Sequence, residues 1–177
     1  LHEFSHNAAR RAVAVLTDRP RPAEAQQDVP WLTAADPRAL LGDLAAPIYG
    51  HPDRALTLVG ITGTNGKSTV VELCGAILDA AGHPCGRIGT LGHYFAGDDL
   101  SRGRATDRTT PEASDLFRLL ASMRDRGARA VAMEVSSHAL VQGRVHGARF
   151  ALALFTNLTR DHLDFHRTPE AYFEAKA

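Results

Sequence analysis

The chain has 177 residues, 44% of them hydrophobic, and its 20 basic and 20 acidic side chains give a formal net charge of zero. This composition supports a buried core, and it excludes both the basic excess of a nucleic-acid-binding protein and the apolar run of ~20 residues that a membrane span requires. Because only two cysteines occur, without C-x-x-C spacing or a signal-peptide pattern, we expect a soluble protein of the reducing cytoplasm.

Residues 1–50 have the pattern that ends a small α/β domain. A helix is predicted over 3–11 and an apolar strand over 12–16. Asp36 precedes a proline and is a typical N-cap for the next helix. The apolar stripe of that helix would comprise Leu40, Leu41, Leu44 and Ile48. The polar, proline-bearing segment 51–54 then marks a domain boundary.

The segment 58–71 is the most informative part of the chain, because a buried strand leads through a glycine-rich turn into a helix. Gly63 and Gly66 lack side chains where backbone N–H groups would approach phosphate oxygens, and the start of the helix favours the same anion. Lys67 would add a cation for the phosphates, and the hydroxyl of Ser68 is a ligand for Mg²⁺. The segment therefore predicts a nucleotide-binding loop.

This loop departs from the usual Walker A pattern. Ile61 stands six residues before Lys67, where that pattern has glycine, and Gly60 comes one residue too early. The missing glycine argues against a P-loop kinase. A glycine turn followed by a chance Lys-Ser pair is the structural alternative, but the strand before the turn and the helix after it favour a variant phosphate loop.

Helices and strands alternate after the loop. The first helix should end at Gly82, and a weak strand over 87–90 and a polar excursion over 92–106 should follow. The apolar stripe of this helix comprises Val70, Leu73, Cys74, Ile77 and Leu78. Thr109 and Glu112 have the spacing of a capping box for a second helix. Its apolar stripe comprises Leu116, Leu119, Leu120 and Met123.

Two near-continuous apolar strands, 130–135 and 150–155, complete the pattern. Such runs are typical of parallel strands that are covered on both faces. The predicted fold is α/β, with a doubly wound, mostly parallel sheet over 55–177 that follows the end of a smaller α/β domain. Ligands of such sheets bind beyond the carboxyl ends of the strands. The segments that should meet there are 63–69, 134–138 and 156–164.

Glu134 stands near the end of an apolar strand, where burying an unpaired carboxylate would be costly. A nucleotide-bound Mg²⁺ would supply a cation, and hydrogen bonds from the backbone of a neighbouring loop are the alternative. Ser136, Ser137 and His138 follow in the chain. The nucleophile elbow G-x-S-x-G is absent, so substrate hydrogen bonding or loop capping is favoured over a serine nucleophile.

The run 161–166 contains four side chains that can bind a metal: Asp161, His162, Asp164 and His166. A solvated loop in which these side chains cap one another is the alternative, because Mg²⁺ prefers oxygen and accepts few protein ligands. Thr168 and Pro169 should start a last helix that leads to Tyr172 and Lys176. The residues alone predict an ordinary solvated lysine at 176.

Taken together and in this order, the motifs resemble those of the Mur ligases. The segments that carry the resemblance are 61–69, 109–112, 133–138, 142–144, 155–164 and 172–176. It implies that 1–50 are the C-terminal part of a UDP-binding domain and that 55–177 are the first part of the central ATP-binding domain. The family's C-terminal domain has no counterpart in the sequence, which begins with Leu1. We therefore expect a fragment that needs the remainder of its own chain for activity.

The resemblance implies an ATP-dependent amide-bond ligase of peptidoglycan biosynthesis. It would join meso-diaminopimelate or L-lysine to UDP-MurNAc-L-Ala-D-Glu through an acyl phosphate. The segment 133–138 with Gln142 and Arg144 favours this reaction over that of another Mur-type ligase or a folylpolyglutamate synthetase. A non-catalytic nucleotide-binding module is the alternative from a different class.

Functional residues follow from the resemblance position by position. ATP would be bound by Gly63, Thr64, Asn65, Gly66, Lys67, Ser68 and Thr69. Mg²⁺ would be served by Ser68, Glu134, His162 and Lys176, the last as a carbamylated lysine (N6-carboxylysine). Lys67, Glu134, His162 and Lys176 would be the catalytic residues. The UDP-MurNAc-dipeptide would be held by Thr109, Thr110, Ser136, Gln142 and Arg144.

Overall fold

The computed structural model describes residues 12–23, 28–101 and 108–177, which fall into two compact units, Leu1–Leu40 and Leu41–Ala177. The helix predicted over 3–11 lies outside the described residues. In the first unit, β1 (Val15–Thr17) pairs in parallel with β2 (Trp31–Thr33). Asp36 accepts the backbone N–H groups of Arg38 and Ala39 at 3.0 and 3.2 Å, so it caps a turn. The apolar strand begins later than predicted, and β2 was not predicted.

The second unit alternates helices and strands from Leu41 onward. Its helices are α1 (Leu41–Ile48), α2 (Pro52–Ala55), α3 (Lys67–Ala80), α4 (Ala113–Asp125), α5 (Ser137–Val141), α6 (Leu163–His166) and α7 (Pro169–Glu174). Its strands are β3 (Thr57–Thr62), β4 (Cys85–Gly89), β5 (Gly92–Phe95), β6 (Asp98–Asp99), β7 (Ala130–Glu134) and β8 (Leu152–Phe155). No helix in the described ranges is both long and apolar enough to cross a bilayer.

The six strands form one sheet in the order β6-β5-β4-β7-β3-β8. Strands β4, β7, β3 and β8 are parallel, with Ile61 of β3 opposite Glu134 of β7. The antiparallel strands β5 and β6 extend one edge as a hairpin. The prediction of a mostly parallel sheet is confirmed. The polar excursion predicted over 92–106 contains this hairpin, and residues 102–107 lie outside the described residues.

Alternating side chains of the central strands build two cores, one on each face of the sheet. Leu58 of β3 and Met133 of β7 pack with the buried face of α4, whereas Val59 and Ala132 pack with Val71 of α3. Successive side chains of a strand point to opposite faces, which explains why neighbours in sequence join different cores. Helices therefore cover both faces, and the doubly wound architecture is confirmed.

Helix α1 buries a different face from the predicted one. Ala45 and Ala46 are buried against Phe117 of α4, whereas Leu44 and Ile48 are 46% and 76% exposed. Small side chains form the contact because α1 approaches its neighbours closely, as a Cβ at position 42 would lie 1.8 Å from a backbone oxygen. The predicted leucine stripe is therefore wrong. The assignment of 1–50 and 55–177 to two domains stays a prediction.

Helix α3 packs on the sheet with part of the predicted stripe. Its members Val70, Cys74 and Leu78 pack against the core around Val71. Leu73 and Ile77 are 58% and 67% exposed. A Cβ at Gly75 would lie 2.5 Å from the Arg87 side chain, so the missing side chain permits a close approach. The predicted stripe is therefore confirmed for three of its five residues and wrong for Leu73 and Ile77.

The predicted start of α4 is wrong, although the rest of the helix is as expected. Among the described residues, no side chain caps the helix start, and Glu112 is the N-cap residue. The Glu112 carboxylate instead pairs with Arg108 and Arg144. The predicted stripe is fully buried: Leu116, Leu119, Leu120 and Met123. Gly82 and Gly127, with φ of 77° and 97°, follow the ends of α3 and α4 as predicted.

The two apolar strands differ in how well they are covered. All five residues of β7 are buried, which confirms the prediction for a strand with neighbours on both sides. Strand β8 lies at the sheet edge, and its Leu152 and Phe155 are 50% and 44% exposed. The prediction of two covered faces is therefore wrong for β8 within the described chain.

Candidate active site

The loop between β3 and α3 has the backbone that a phosphate site requires. Gly63 and Gly66 have φ of 136° and 83°, which side chains other than glycine rarely adopt. A Cβ at Gly63 would lie 2.0 Å from the Thr156 hydroxyl oxygen, whereas a Cβ at Gly66 would meet nothing within 4 Å. Helix α3 starts immediately afterwards at Lys67, so its free N–H groups face the loop. The predicted strand, loop and helix are all present.

The segment after β8 holds this loop in place. Asn65 donates its backbone N–H to Asn157 Oδ1 at 3.0 Å, and its carbonyl accepts from the Thr156 hydroxyl at 2.8 Å. Thr159 donates its backbone N–H to Thr64 Oγ1 at 2.9 Å. The sequence placed this segment near the loop but gave no supporting role to Thr156, Asn157 and Thr159. Their position directly after a parallel strand was the feature that could have indicated it.

Both lysines of the sequence meet at one carbonyl oxygen of the loop. Lys67 Nζ and Lys176 Nζ each lie 2.9 Å from the Gly63 oxygen, and Lys67 also donates to Thr64 O at 2.8 Å. Burial lowers the pKa of Lys176 to about 8, and the charge of Lys67 acts in the same direction while Asp161 opposes it. Two ammonium groups so close together favour an anion between them.

Lys176 is not the solvated lysine that its residues alone predicted. It is 8% exposed, and its Nζ lies 4.8 Å from the centre of the Tyr172 ring. The Tyr172 hydroxyl is 3.1 Å from Thr64 Oγ1 in a buried contact. Helix α7 starts as predicted, because Thr168 accepts the backbone N–H of Ala171 at 3.1 Å. Tyr172 therefore joins α7 to the loop, a role that the sequence did not indicate.

Glu134 is 2% exposed at the end of β7 and lies beside the loop. Its Oε1 accepts from the Ser68 hydroxyl at 2.8 Å and from the Thr90 backbone N–H at 2.9 Å. Its Oε2 accepts from the Thr90 hydroxyl at 3.3 Å. The expectation that this carboxylate needs partners is confirmed, and both a loop hydroxyl and a neighbouring backbone supply them. Thr90 was missed, although it directly follows the strand beside β7.

The residues predicted to bind the dipeptide form a second group around the end of β7. Thr110 donates its hydroxyl to Glu134 O at 2.9 Å and accepts the Ser136 backbone N–H at 3.0 Å. Ser136 accepts from Ala139 N at 3.2 Å, so the predicted loop capping is confirmed. Thr109 lies 3.0 Å from the Thr90 hydroxyl.

Arg144 and Gln142 belong to the same group, and Arg144 is buried. Arg144 is 9% exposed and donates to the Thr110 carbonyl at 3.1 Å and to Gln142 Oε1. Its Nε lies 3.2 Å from a Glu112 carboxylate oxygen. The guanidinium thus stabilises the loop that carries Thr110. Beside Thr90 and Thr109 lies an open cleft of about 410 Å³ that Tyr94, Ser101 and Arg108 also line.

The histidines of 161–166 pack against α5, the helix that follows β7. The His162 ring is edge-on to His138 with 4.9 Å between centroids, and His166 Nε2 is 2.9 Å from Ser137 Oγ. Burial lowers the pKa of His138 and of His166, and neighbouring histidines add to both shifts. In the described ranges no three His, Cys, Asp or Glu side chains are arranged to hold a metal by themselves. A self-contained metal site in this run is therefore not supported.

Asp161 and His162 instead satisfy one another. The His162 backbone N–H donates to Asp161 Oδ1 at 2.8 Å, and the ring Nε2 lies 3.5 Å from Oδ2. Both side chains are partly exposed, as the alternative of a solvated, self-capping loop predicted. A cation in this region would have to rely on oxygen ligands from elsewhere, and the hydroxyl of Ser68 and the carboxylate of Glu134 are such ligands.

The carboxyl ends of the parallel strands therefore bring together two ammonium groups, a glycine loop, and the hydroxyl and carboxylate oxygens of Ser68 and Glu134. The family model of the Mur ligase middle domain matches residues 61–177. The chain belongs to the Mur ligase family. This confirms the resemblance in the sequence, and it agrees with the loop, the carboxylate and the sheet topology.

Several curated Mur ligases are similar to the chain over nearly its whole length. Proteins named UDP-N-acetylmuramoyl-L-alanyl-D-glutamate–2,6-diaminopimelate ligase are 52% identical in Streptomyces coelicolor and 46% identical in Geobacter metallireducens. The matches cover 94% and 95% of this chain and 32% of each relative. The chain thus spans about a third of the length of these relatives.

Solved Mur ligases share the fold. A structure of a UDP-N-acetylmuramoyl-L-alanyl-D-glutamate–2,6-diaminopimelate ligase superposes with a TM-score of 0.76 at 29% identity, covering 97% of this chain and 34% of that one. The MurF ligase of Thermotoga maritima, solved in complex with ADP, has a TM-score of 0.59 at 20% identity, with 99% and 36% coverage. At this lower identity the second likeness supports the fold alone.

Proposed function

We propose that this chain is the nucleotide-binding part of an ATP-dependent ligase that joins 2,6-diaminopimelate to UDP-MurNAc-L-Ala-D-Glu. The choice of amino acid is supported by the names of relatives that are 46% and 52% identical to the chain. The reaction belongs to peptidoglycan biosynthesis and takes place in the cytoplasm. Because the chain matches about a third of those relatives, we expect the complete reaction to require the regions that it does not match.

The convergence of Lys67 and Lys176 on the Gly63 carbonyl supports this function most directly. The nucleotide's phosphates would take the loop 63–69, where Lys67 supplies a cation and the start of α3 supplies N–H groups. The space that a Cβ at Gly63 would fill is closed by Thr156, so the loop backbone is already fixed. A fixed set of donors needs no rearrangement when phosphate charge develops.

Ser68 and Glu134 would hold Mg²⁺, and their hydroxyl and carboxylate oxygens are the ligand types that this cation prefers. When bound, Mg²⁺ and ATP supply an activated phosphoryl group that a carboxylate can accept. The protein's own contribution is orientation: Thr90 fixes the Glu134 carboxylate, and Thr110 fixes the chain end of β7. The acceptor would lie near Thr109, Thr110 and Ser136, beside the same carboxylate.

We assign Lys176 and His162 to the same site by family resemblance. Lys176 would react with CO₂ to give the carbamylated lysine, and its position beside the loop carbonyl supports this role. His162 would serve the metal site. The domain assignment follows the same resemblance: 1–50 would end the UDP-binding domain, and 55–177 would begin the central domain.

Two measurements test the proposed function. In calorimetry, the 177-residue chain should bind ATP in the presence of Mg²⁺, and Lys67→Ala should weaken this binding about 10- to 100-fold, since it removes a charge-assisted contact. Arg129→Ala, which removes an exposed cation away from the loop, is the matched control. Unchanged binding in Lys67→Ala would contradict the nucleotide assignment.

The ligase assignment is tested in a chimera. The matching third of the Streptomyces coelicolor ligase would be replaced by this chain, and release of ADP would be measured with UDP-MurNAc-L-Ala-D-Glu and diaminopimelate. We expect turnover that depends on diaminopimelate. A folded chimera that binds ATP but shows no turnover with any amino acid would support the non-catalytic alternative.

A further inference from the structure

Thr90 connects the two groups of site residues, and neither the sequence nor the family resemblance gave it a role. Its backbone N–H is bonded to Glu134 Oε1. Its hydroxyl oxygen lies 3.3 Å from Glu134 Oε2 and 3.0 Å from the Thr109 hydroxyl oxygen. One side therefore faces the proposed cation ligand, and the other faces the residue proposed to bind the acceptor.

The hydroxyl of Thr90 has one proton for these two acceptors, so it can donate to only one of them at a time. Among the described residues, Thr90 is the sole donor to Glu134 Oε2, whereas Oε1 has two donors, Ser68 and Thr90 itself. Without a cation, the charge of the carboxylate attracts this proton. With a cation bound, that attraction weakens and the proton can turn to Thr109.

We propose that Thr90 is a positioning residue that couples the cation site at Glu134 to the ligand site at Thr109. When a cation binds the carboxylate, Thr90 donates to Thr109, and the hydroxyl proton of Thr109 becomes available to a ligand in the adjacent cleft. This inference rests on the proposed function in one respect, which is that Glu134 binds Mg²⁺. By linkage, a ligand at Thr109 must strengthen cation binding by the same factor.

The geometry separates this coupling from a purely structural role. The bond from the Thr90 backbone to Glu134 would remain with any residue other than proline at this position, and it is the bond that fixes the turn after β4. A Cβ at the neighbouring Gly89 would lie 2.3 Å from Glu134 Oε1, so the close packing of this turn also depends on Gly89. Only the hydroxyl reaches Thr109, and Thr90 is exposed enough for a ligand to approach it.

The test compares Thr90→Val, which removes the hydroxyl at nearly constant shape, with Thr90→Ser, which keeps it. Thr57→Val, an exposed threonine at the opposite end of β3, is the matched control. Mg²⁺ would be titrated by calorimetry into each protein saturated with ADP. In parallel, threonine methyl groups labelled with ¹³C would report the surroundings of Thr109, whose signal is assigned by its loss in Thr109→Ser.

In the wild-type chain the Thr109 methyl signal should shift as Mg²⁺ binds. In Thr90→Val this shift should disappear, while Mg²⁺ binds about three- to tenfold more tightly, because the apo carboxylate has lost a hydrogen bond. Thr90→Ser and Thr57→Val should behave as the wild type. A merely structural lesion would weaken Mg²⁺ binding instead of strengthening it.

Two results would overturn the inference and leave the proposed function standing. One is an unchanged Thr109 shift in Thr90→Val, and the other is a wild-type Thr109 signal that ignores Mg²⁺ while calorimetry records binding. Binding of ADP without any uptake of Mg²⁺ would count against both, since it removes the cation from Glu134. If Thr90→Val does not fold, Thr109→Val supplies the second arm. Mg²⁺ would then be titrated into the wild type and into Thr109→Val, each with UDP-MurNAc-dipeptide bound. Equal Mg²⁺ affinities of the two proteins would again contradict the coupling.

Discussion

The carboxyl end of β7 and the hairpin β5–β6 each bury one titratable side chain, and they treat it in opposite ways. Glu134 and His93 are both 2% exposed. Glu134 accepts hydrogen bonds from Ser68 and Thr90, whereas neither ring nitrogen of His93 has a partner among the described residues. A buried carboxylate that accepts hydrogen bonds is held in place for a ligand. A buried imidazole without hydrogen-bond partners costs stability, and its neutral form is favoured.

This difference separates the part of the sheet built for binding from the part built for support. At the carboxyl ends of the parallel strands, backbone, hydroxyl and carboxylate groups form hydrogen bonds with one another. Substitutions there should therefore change ligand binding or the conformation of the loop 63–69. The hairpin packs its Phe95 into the core with α4, so changes to its core-facing side chains should affect stability alone. The following substitutions test that separation.

The largest effect is expected for Gly63→Ala in the loop. Its positive φ disfavours a side chain, and the new Cβ would lie 2.0 Å from Thr156 Oγ1. Strain and overpacking together should destabilise the chain by about 3–5 kcal/mol, measured by urea unfolding. Gly97→Ala in the hairpin has a φ of 86° but nothing within 4 Å, so it should cost only about 1 kcal/mol. Equal losses in the two variants would show that the contact with Thr156 is unimportant.

Glu134→Gln should change ligand binding more than folding. The amide keeps the size of the side chain but loses the charge, and its NH₂ group faces donors from Ser68 and Thr90. We expect Mg²⁺ affinity in the presence of ADP to fall by about 10- to 100-fold. Calorimetry measures this, with the exposed Glu174→Gln as control. Full retention of Mg²⁺ affinity would remove Glu134 from the cation site.

The pH dependence of stability should come partly from His93. Burial lowers its pKa below the ordinary 6.5, and the charge of Arg118 of α4 acts in the same direction. The smaller effects of Gly92, Asp99 and Asp115 oppose this shift. The unfolded chain then binds more protons than the folded chain, so stability falls as pH drops below about 6.5. His93→Leu should remove this contribution and add about 1–2 kcal/mol, because the unpartnered ring nitrogens are lost.

The measurement for His93→Leu is urea unfolding at several pH values between 5 and 8. The exposed His83→Leu, which removes an imidazole at the surface, is the matched control. His138 and His166 also titrate with lowered pKa, so the informative quantity is the difference in slope between wild type and variant. If the free energies of unfolding of wild type and His93→Leu changed with pH in parallel, the unpartnered burial of His93 would be contradicted.

The sequence predicted the elements whose signals are local. The glycine loop, the stripe of α4 and the cap at Thr168 depend on residues close together in the chain, and all three are present. It failed where tertiary contacts decide. Helix α1 turns a different face inward because small residues allow close packing, two residues of the α3 stripe are exposed, and β8 is exposed because it lies at an edge.

The candidate site shows the same division. Glu134 was identified from the strand that buries it, but Thr90 was missed because its role depends on which strand lies beside β7. Lys176 looks like an ordinary helix residue until α7 packs on the loop, which happens more than 100 residues away in sequence. Contacts of this range have no periodicity in the sequence, so only a motif resemblance indicated that lysine.

The smallest effect is expected for Tyr172→Phe, which separates two contacts of one ring. The hydroxyl contact with Thr64 Oγ1 would be lost, while the ring would still lie under Lys176. Thr64 keeps its bond from the Thr159 backbone, so the loop should loosen rather than collapse, and ATP affinity should fall about two- to tenfold, as for one neutral hydrogen bond. Tyr94→Phe is the control in the hairpin, whose hydroxyl bonds to Leu91 instead. Because that hydroxyl does not contact the loop, an equal loss of ATP affinity in both variants would mean that Tyr172 supports the fold and not the site.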